Sequence, residues 1–402
     1  MGQVQSPREI APMPDAGLTV TVISTDEELV RLGPVWDRLI EESGVDYPFL
    51  SHACIQSAWE SFGGGNTLHV ILVSDAAGPV AIAPLMLGVQ RLLGLRLRRL
   101  GFIHHVSLER LDFIVARRHR EAYAAIWGHL RRESQLWDVL VLPQVPTGSR
   151  TLHELPRLAA TDRFLTGFWR SANALYIAVR GSWPQYLESL ESRHRSNLRR
   201  RLKRLFREHD VDVDQLSSGD DLDAAIEEGL RIEAAAWKGE AGTAIACRPP
   251  ERQFYTRFAR RCAERGWLRL RFLRVDGQRV AFSYAIVFRN VLYSLKAGYD
   301  PRAASHSPFT LLSYLMIHDA FGRGVARYEF LGAADPWKAD WTRREQPHCW
   351  LFVLPPAPWA RALHAVKFSL IPRLKRSRTI ASVRSVLLRW FAGPAPAVVR
   401  AR

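Results

Sequence analysis

The sequence predicts a mixed α/β protein in which one structural plan is used twice. Three observations predict it. Short strand-like segments, such as 68–73 and 268–275, are interspersed with helical runs, such as 120–134 and 311–322. Each half carries the same order of elements: helices, an antiparallel hairpin, a long helix and a closing strand. The composition, 47% hydrophobic and 24% charged over 402 residues, is that of globular domains. At roughly 100–200 residues per domain it allows two to four of them, and it excludes a disordered or collagen-like chain.

The elements follow in order. Residues 1–17, with Pro7, Pro12, Pro14 and Gly17, read as a flexible leader. Residues 18–23 alternate apolar and Thr positions, as a strand does. Asp26 opens a helical run with Leu29, Leu32, Trp36, Leu39 and Ile40 on one side, and 51–62 is a second helix. A hairpin of 68–73 and 80–89 turns at Gly78-Pro79. Short strands at 98–102 and 111–115, a helix over 120–134 and a buried strand at 137–142 complete the first half.

The second half opens with a helix at 183–190 and an Arg-rich helix. Residues 220–237 are helical, with Leu222, Ala225, Ile226, Leu230 and Ala234 on one face, and 250–265 form another helix. Strands 268–275 and 279–288 turn at Asp276-Gly277, a strong hairpin signal. A third strand (290–298), a helix (311–322) and a strand (327–331) follow. The expected domains are 18–180 and 181–356, with a basic tail over 357–402.

The net charge of +16 sits in two places. Residues 193–207 hold eight cations and no acid, and 357–402 hold ten cations and no acid. The rest has two more acids than bases, which argues against a general polyanion binder. In the first segment Leu198, Leu202, Leu205 and Phe206 make one apolar stripe. Its Arg face is either a solvated surface or a cradle for a phosphorylated ligand. In the tail, two amphipathic stretches with Trp and Phe flank Pro372. They fit an anionic membrane surface or packing against the body. No apolar run reaches the ~18 residues that span a bilayer. The first 14 residues lack the apolar centre of a secretory signal, so a cytoplasmic protein is expected. Cys54, Cys247, Cys262 and Cys349 form no CxxC pair and His104-His105 are adjacent, so neither a disulfide scaffold nor a metal site is expected.

No Walker loop, GxGxxG, HExxH or GxSxG is present. The chemistry-bearing residues lie in the second half. Glu233 and Trp237-Lys238 end a helix; Lys296, Gly298, Tyr299 and Asp300 leave an apolar strand. Ser307-Pro308 opens the next helix, whose first amides make an anion site, and Asp335, Trp337 and Lys338 follow the closing strand. Taken singly, each has a structural explanation as a cap, a turn former or a surface ion pair.

Together, Glu233-x3-Trp237-Lys238, Lys296-x-Gly298-Tyr299-Asp300, Ser307-Pro308 and Gly332-x2-Asp335-x2-Lys338 resemble the BioF-like or CelD-like acetyltransferases of the GNAT superfamily, similar in layout to the FemABX transferases. The resemblance implies tandem GNAT-like domains and an acyl-CoA donor such as acetyl-CoA. Ser307, Pro308, Thr310 and Leu311 would start the helix that faces the CoA pyrophosphate, and Lys296 would hold anionic groups. Asp335 or Glu233 would be the base, Tyr299 the acid for the thiolate, and Lys338 an orienting or charge-holding group. Trp237, Lys238 and Trp337 would meet substrate. The opposed reading makes Glu233, Lys238, Lys296, Asp335 and Lys338 an ion-pair network bracing a cleft.

The sequence departs from the family in two ways. Phe309 stands where the group usually has Gly, and the general GNAT phosphate loop is absent. A phenyl ring obstructs close backbone approach to a phosphate. The implied activity is transfer of an acyl group to an amine or hydroxyl of a sugar or glycan precursor, in cellulose-type or other polysaccharide synthesis. The alternatives are an aminoacyl-tRNA-dependent transferase, or a non-enzymatic partner of a membrane polysaccharide synthase held at the membrane by 357–402.

Overall fold

The computed structural model describes residues 9–10, 17–219, 221–235 and 245–376. Trp237 and Lys238, and the tail from 377 onward, lie outside the described residues. The chain divides into two compact units. One comprises residues 1–45, 63–171 and 348–402, the other 46–62 and 172–347.

In chain order, the first unit begins with β1 (Glu9–Ile10), β2 (Thr19–Ile23), α1 (Asp26–Arg31) and α2 (Gly33–Ser43). The expected leader thus contains a strand, since Glu9 and Ile10 pair with Thr21 and Val20. Thr25 starts α1 with a capping box: its Oγ1 accepts the Glu28 amide, and Glu28 Oε2 accepts the Thr25 amide, both at 3.2 Å. Helix α3 (His52–Phe62) follows and belongs to the second unit. The first unit resumes with β3 (Thr67–Asp75), β4 (Gly78–Leu92), β5 (Leu95–Phe102), β6 (Ile114–Val115), α4 (His119–Arg132), β7 (Val139–Pro146), α5 (Thr151–Thr161) and β8 (Leu165–Arg170). Its nine-stranded sheet runs β1-β2-β3-β4-β5-β7, then β16 (His348–Leu354) and β8, with β6 on β4. Strands β5 and β7 are parallel, and α4 lies between them in sequence.

The second unit contains β9 (Ala174–Ala178), α6 (Trp183–Ser189), α7 (Ser192–Glu208), β10 (Val211–Leu216), α8 (Leu222–Ala234), α9 (Pro249–Glu264), β11 (Leu268–Val275), β12 (Gln278–Phe288), β13 (Val291–Tyr299), α10 (Pro308–Gly322), β14 (Arg327–Glu329), α11 (Pro336–Ala339) and β15 (Glu345–Gln346). Its seven-stranded sheet has the order β10-β11-β12-β13-β14-β9-β15. Asp276 and Gly277 turn the β11–β12 hairpin with φ of 50° and 77°, the paired left-handed geometry that matches strand twist. The plan of the first unit recurs: a hairpin, a third strand, a helix (α10) and a strand parallel to the third. The fold is therefore mixed α/β, with two mixed sheets flanked by helices.

The divisions fall elsewhere than at 180/181 and 356/357. Helix α3 packs on α9: Phe62 meets Phe254 at 5.3 Å, and Arg261 bonds Ser57 and Glu60, each at 2.7 Å. Strand β9 pairs with β14, and β16 pairs with β7 and β8. These long-range pairings leave no local trace.

The first stretch of the tail is packed rather than free. Residues 358–376 form α12 (Pro358–Ala365), a wide turn (Val366–Leu370) and α13 (Ile371–Arg376). Ala360 and Leu363 are buried, Phe368 meets Phe352 at 5.4 Å, and Lys367 lies 4.7 Å from the Trp169 ring. Pro372 does not break the helical path. The Ile371 amide donates five residues back to Val366, and this wide turn lets the chain pass a proline. A Cβ on Gly167 would lie 2.4 Å from the Phe368 ring. Gly167→Ala is therefore expected to expel Phe368. Limited trypsin digestion should then cleave at Lys367 faster, at a stability cost of ~1 kcal/mol.

One carboxyl of the first unit sets a pH dependence. Asp112 is enclosed beside α5, and burial raises its carboxyl to about 6, against donors from Ser149, Thr151 and the Phe113 amide. A raised carboxyl favours folding at low pH. Its contribution is present below about 4 and is lost as pH rises through about 6. Allowing for contact with water, the loss is on the order of 1–2 kcal/mol. Asp112→Asn should remove this slope, so denaturant unfolding at pH 7.5 should show the variant gaining relative to wild type.

Candidate functional site

The site is built where two parallel strands part. Strands β13 and β14 pair only through Val291, Leu292 and Tyr293 with Arg327, Tyr328 and Glu329. From Ser294 onward, β13 keeps β12 on one side, and among the described residues no strand pairs with it on the other. The β12–β13 register passes from Tyr284↔Lys296 to Ala285↔Ser294, so Leu295 is bulged out of the ladder. At the fork Glu329 is 0% exposed, and Arg327 Nε lies 3.0 Å from its Oε1. Arg327 also bridges to Asp46 at 2.8 Å and lies over the Tyr176 ring. An ionised carboxylate at this depth needs such a partner.

Helix α8 crosses β13 at its closest point where Gly298 meets Glu233. A Cβ on Gly298 would stand 2.7 Å from the Glu233 Cα, so only glycine permits this approach. Glu233 is 2% exposed, and its Oε2 accepts the Ile245 amide at 3.0 Å. Two residues before Gly298, Lys296 Nζ lies 5.2 Å from the centre of the Tyr255 ring.

The loop after β14 is organised by Lys338. Leu331 and Gly332 both have positive φ (57° and 64°), which turns the Leu331 and Ala333 carbonyls onto one point. Lys338, 6% exposed, donates to them at 2.8 and 2.7 Å and pairs with Asp335 Oδ2 at 3.0 Å. Three donors meet three acceptors, which satisfies a buried ammonium. The Asp335 side chain remains 51% exposed. Lys338 thus positions Asp335, and its protein contacts use the charge that could otherwise have held an anionic substrate.

Aromatic rings join the pieces. Phe309 stands edge-on to Trp337 at 4.7 Å and 6.5 Å from Tyr299, and Trp337 meets Phe330 at 5.6 Å. The Phe309 ring, at the start of α10, thus packs between the end of β13 and the 330–338 loop. Ser307 caps α10 in the left-handed region (φ 53°) with no side-chain hydrogen bond, Pro308 has no amide hydrogen, and Leu311 makes the first return bond to Ser307. The Phe309 and Thr310 amides therefore precede the helical ladder, at the positive end of its dipole. Leu311 is buried and holds the helix start against the sheet.

Residues far apart in sequence thus meet: Tyr299, Phe309, Trp337, Lys338 and Asp335 form one contiguous group, with Glu233 behind Gly298. Lys296 lies over the Tyr255 ring. Sequence reasoning missed Glu329 and the part played by the Leu331 and Ala333 carbonyls. An acid within the apolar run 328–331 was the available signal for Glu329. It also missed a charged cavity of about 580 Å³ beside α8, where Arg279 bridges Asp214 at 2.9 Å and Glu228 at 2.6 Å.

The Arg-rich helix α7 buries Leu198 and Leu205 and is not free of acids. Its last residue, Glu208, pairs with Arg204 at 2.9 Å and Arg207 at 2.6 Å. Arg195 caps α6 through the Glu188 and Leu190 carbonyls at 2.6 and 3.1 Å. Arg193, Arg199, Arg201 and Lys203 are exposed and have no ion-pair partner among the described residues.

Residues 192–339, which contain the parted strands and α10, match the family model described as an acetyltransferase (GNAT) domain. This stretch is thus similar to an acetyltransferase (GNAT) domain. Solved structures extend the fold likeness to most of the chain. FemX aligns with a TM-score of 0.55 at 12% identity, over 84% of this chain and 98% of its own. The C-terminal domain of a protein described as a lysylphosphatidylglycerol synthetase, from Agrobacterium fabrum, aligns with a TM-score of 0.51 at 12% identity, over 86% and 97%. A conserved protein of unknown function from Bacteroides thetaiotaomicron gives 0.51 at 11%, over 83% and 100%. No curated protein matches the chain. Among the described residues, no helix is long and apolar enough to cross a membrane.

Proposed function

We propose that this protein moves an acyl group from an acyl-CoA, acetyl-CoA being the simplest, to an amine or hydroxyl of a sugar or glycan precursor. One observation carries the reading. Inside the GNAT-like domain, β13 and β14 part beyond Tyr293 and Glu329, near the first turn of α10. The opening suits an extended donor laid along β13, with its phosphates toward the α10 amides. The acceptor class rests on the resemblance to the BioF-like and CelD-like group alone.

The chemistry follows from the side chains. Asp335, held by Lys338 and open to water, takes the proton of the acceptor. The acceptor attacks the thioester carbonyl, and backbone amides along β13 offset the developing negative charge. The C–S bond breaks, and the Tyr299 hydroxyl protonates the leaving thiolate. Glu233, buried and bonded to the Ile245 amide, supports the backbone behind Tyr299. The test is thiol release from acetyl-CoA in the presence of amino sugars, followed with a thiol-reactive dye. Turnover that needs both substrates supports the reading, and none with any acyl-CoA counts against it.

A second reading has its own observation. Phe309 covers the start of α10, while α7 carries four unpaired exposed cations. Both features suit an aminoacyl-tRNA donor, whose phosphates would meet α7 and whose binding should fall steeply with salt. A tRNA gel shift at two salt concentrations separates the two readings.

A further inference from the structure

We propose that the first unit holds a divalent zinc-class metal ion between β3 and α4, on His69, His129 and Glu133. His129 and Glu133 are four residues apart, so one face of the α4 terminus presents both, and His69 reaches them from β3. The three atoms that face one another are His69 Nε2, His129 Nε2 and Glu133 Oε2. They stand 3.3 Å apart between the histidines, 3.5 Å from His69 to Glu133 and 3.4 Å from His129 to Glu133.

These spacings decide between two accounts. A hydrogen-bonded cluster pulls its heavy atoms to ~2.7–3.2 Å. All three separations are longer than that. Ligands of a tetrahedral zinc are set by bonds of ~2.0–2.2 Å, so neighbouring ligand atoms lie ~3.3–3.5 Å apart. The triangle has that edge on every side. Two neutral imidazoles and one carboxylate are a zinc-type donor set, as imidazole with carboxylate suits zinc better than calcium or magnesium.

Burial supports the assignment. His129 is 0% exposed, His69 is also buried, and their rings stack at 5.4 Å. The Nδ1 of His129 is buried without a hydrogen-bond partner, so the polar contacts of this ring run through Nε2. Glu133 closes the triangle from the C-cap of α4, with its side chain 27% exposed. The ion would pin the last turn of α4 to β3. The assignment is independent of the acyl-transfer reading, which concerns the second unit. Sequence reasoning had no access to it, since His69 lies 60 residues before His129.

The test uses the full, tag-free chain, stripped with a chelator and titrated with Zn²⁺ alone. One saturable zinc ion per chain and a higher Tm with zinc are expected. Substitution with Co²⁺ should give the visible absorption of a four-coordinate site. Glu133→Gln is nearly isosteric and should melt like the stripped wild type. It and His69→Gln should each weaken zinc binding by more than the ~100-fold that an outer-shell change costs. Absence of zinc uptake by the wild type overturns the proposal. So does uptake that both variants retain at full affinity.

Discussion

Asp335→Asn is expected to lower the rate of acyl transfer by ~10²–10⁴-fold while leaving Tm almost unchanged. The carboxylate is half exposed and touches the protein chiefly through Lys338 Nζ. Exposed ion pairs contribute ~0–1 kcal/mol, and Lys338 keeps the Leu331 and Ala333 carbonyls after the change. The loop therefore holds, and only the base is lost. Thiol release from acetyl-CoA and a thermal melt on the same sample read both quantities. A fall in Tm that matches the fall in rate would instead make Asp335 a brace of the loop.

Gly298→Ala should do the opposite and damage both stability and rate. The added methyl would stand 2.7 Å from the Glu233 Cα, which is backbone and cannot rotate away. Helix α8 would have to move off β13, at a cost of ~1–3 kcal/mol. For a unit of this size that is a Tm drop of roughly 2–4 °C per kcal/mol. The same displacement shifts Tyr299, the next residue, and loosens the Glu233–Ile245 bond. Denaturant unfolding and thiol release together check it. Unchanged stability would mean that α8 does not press on β13 at this point.

The contrast between the two variants reflects how the site was legible. Residue types with local consequences were readable. Asp276-Gly277 announced its hairpin, and the ion-pair reading named Asp335 and Lys338 together. The doubled plan of hairpin, helix and closing strand was readable too, because apolar periodicity marks each element. What escaped depends on contacts across the fold. Helix α3 joins the second unit through Phe62 and Arg261, and β16 enters the first sheet beside β7 and β8. Neither choice is written in the local pattern. The fate of Phe309 was half legible: its departure from glycine was visible, but its packing against Trp337 needed the loop geometry. Lys338 read equally as an orienting group or a holder of substrate charge, and only the two left-handed residues, Leu331 and Gly332, which turn two carbonyls toward it, distinguish these. The basic helix looked free of acids only because Glu208 falls just past its last arginine.

Calorimetric titration of the intact protein with acetyl-CoA tests the central claim most directly, that the parted strands of the GNAT-like domain hold an acyl-CoA donor. The account predicts saturable binding of one acetyl-CoA per chain, with Kd of roughly 1 µM–1 mM, as co-substrates of enzymes usually show. Folded protein that gives no binding heat across that range would contradict it.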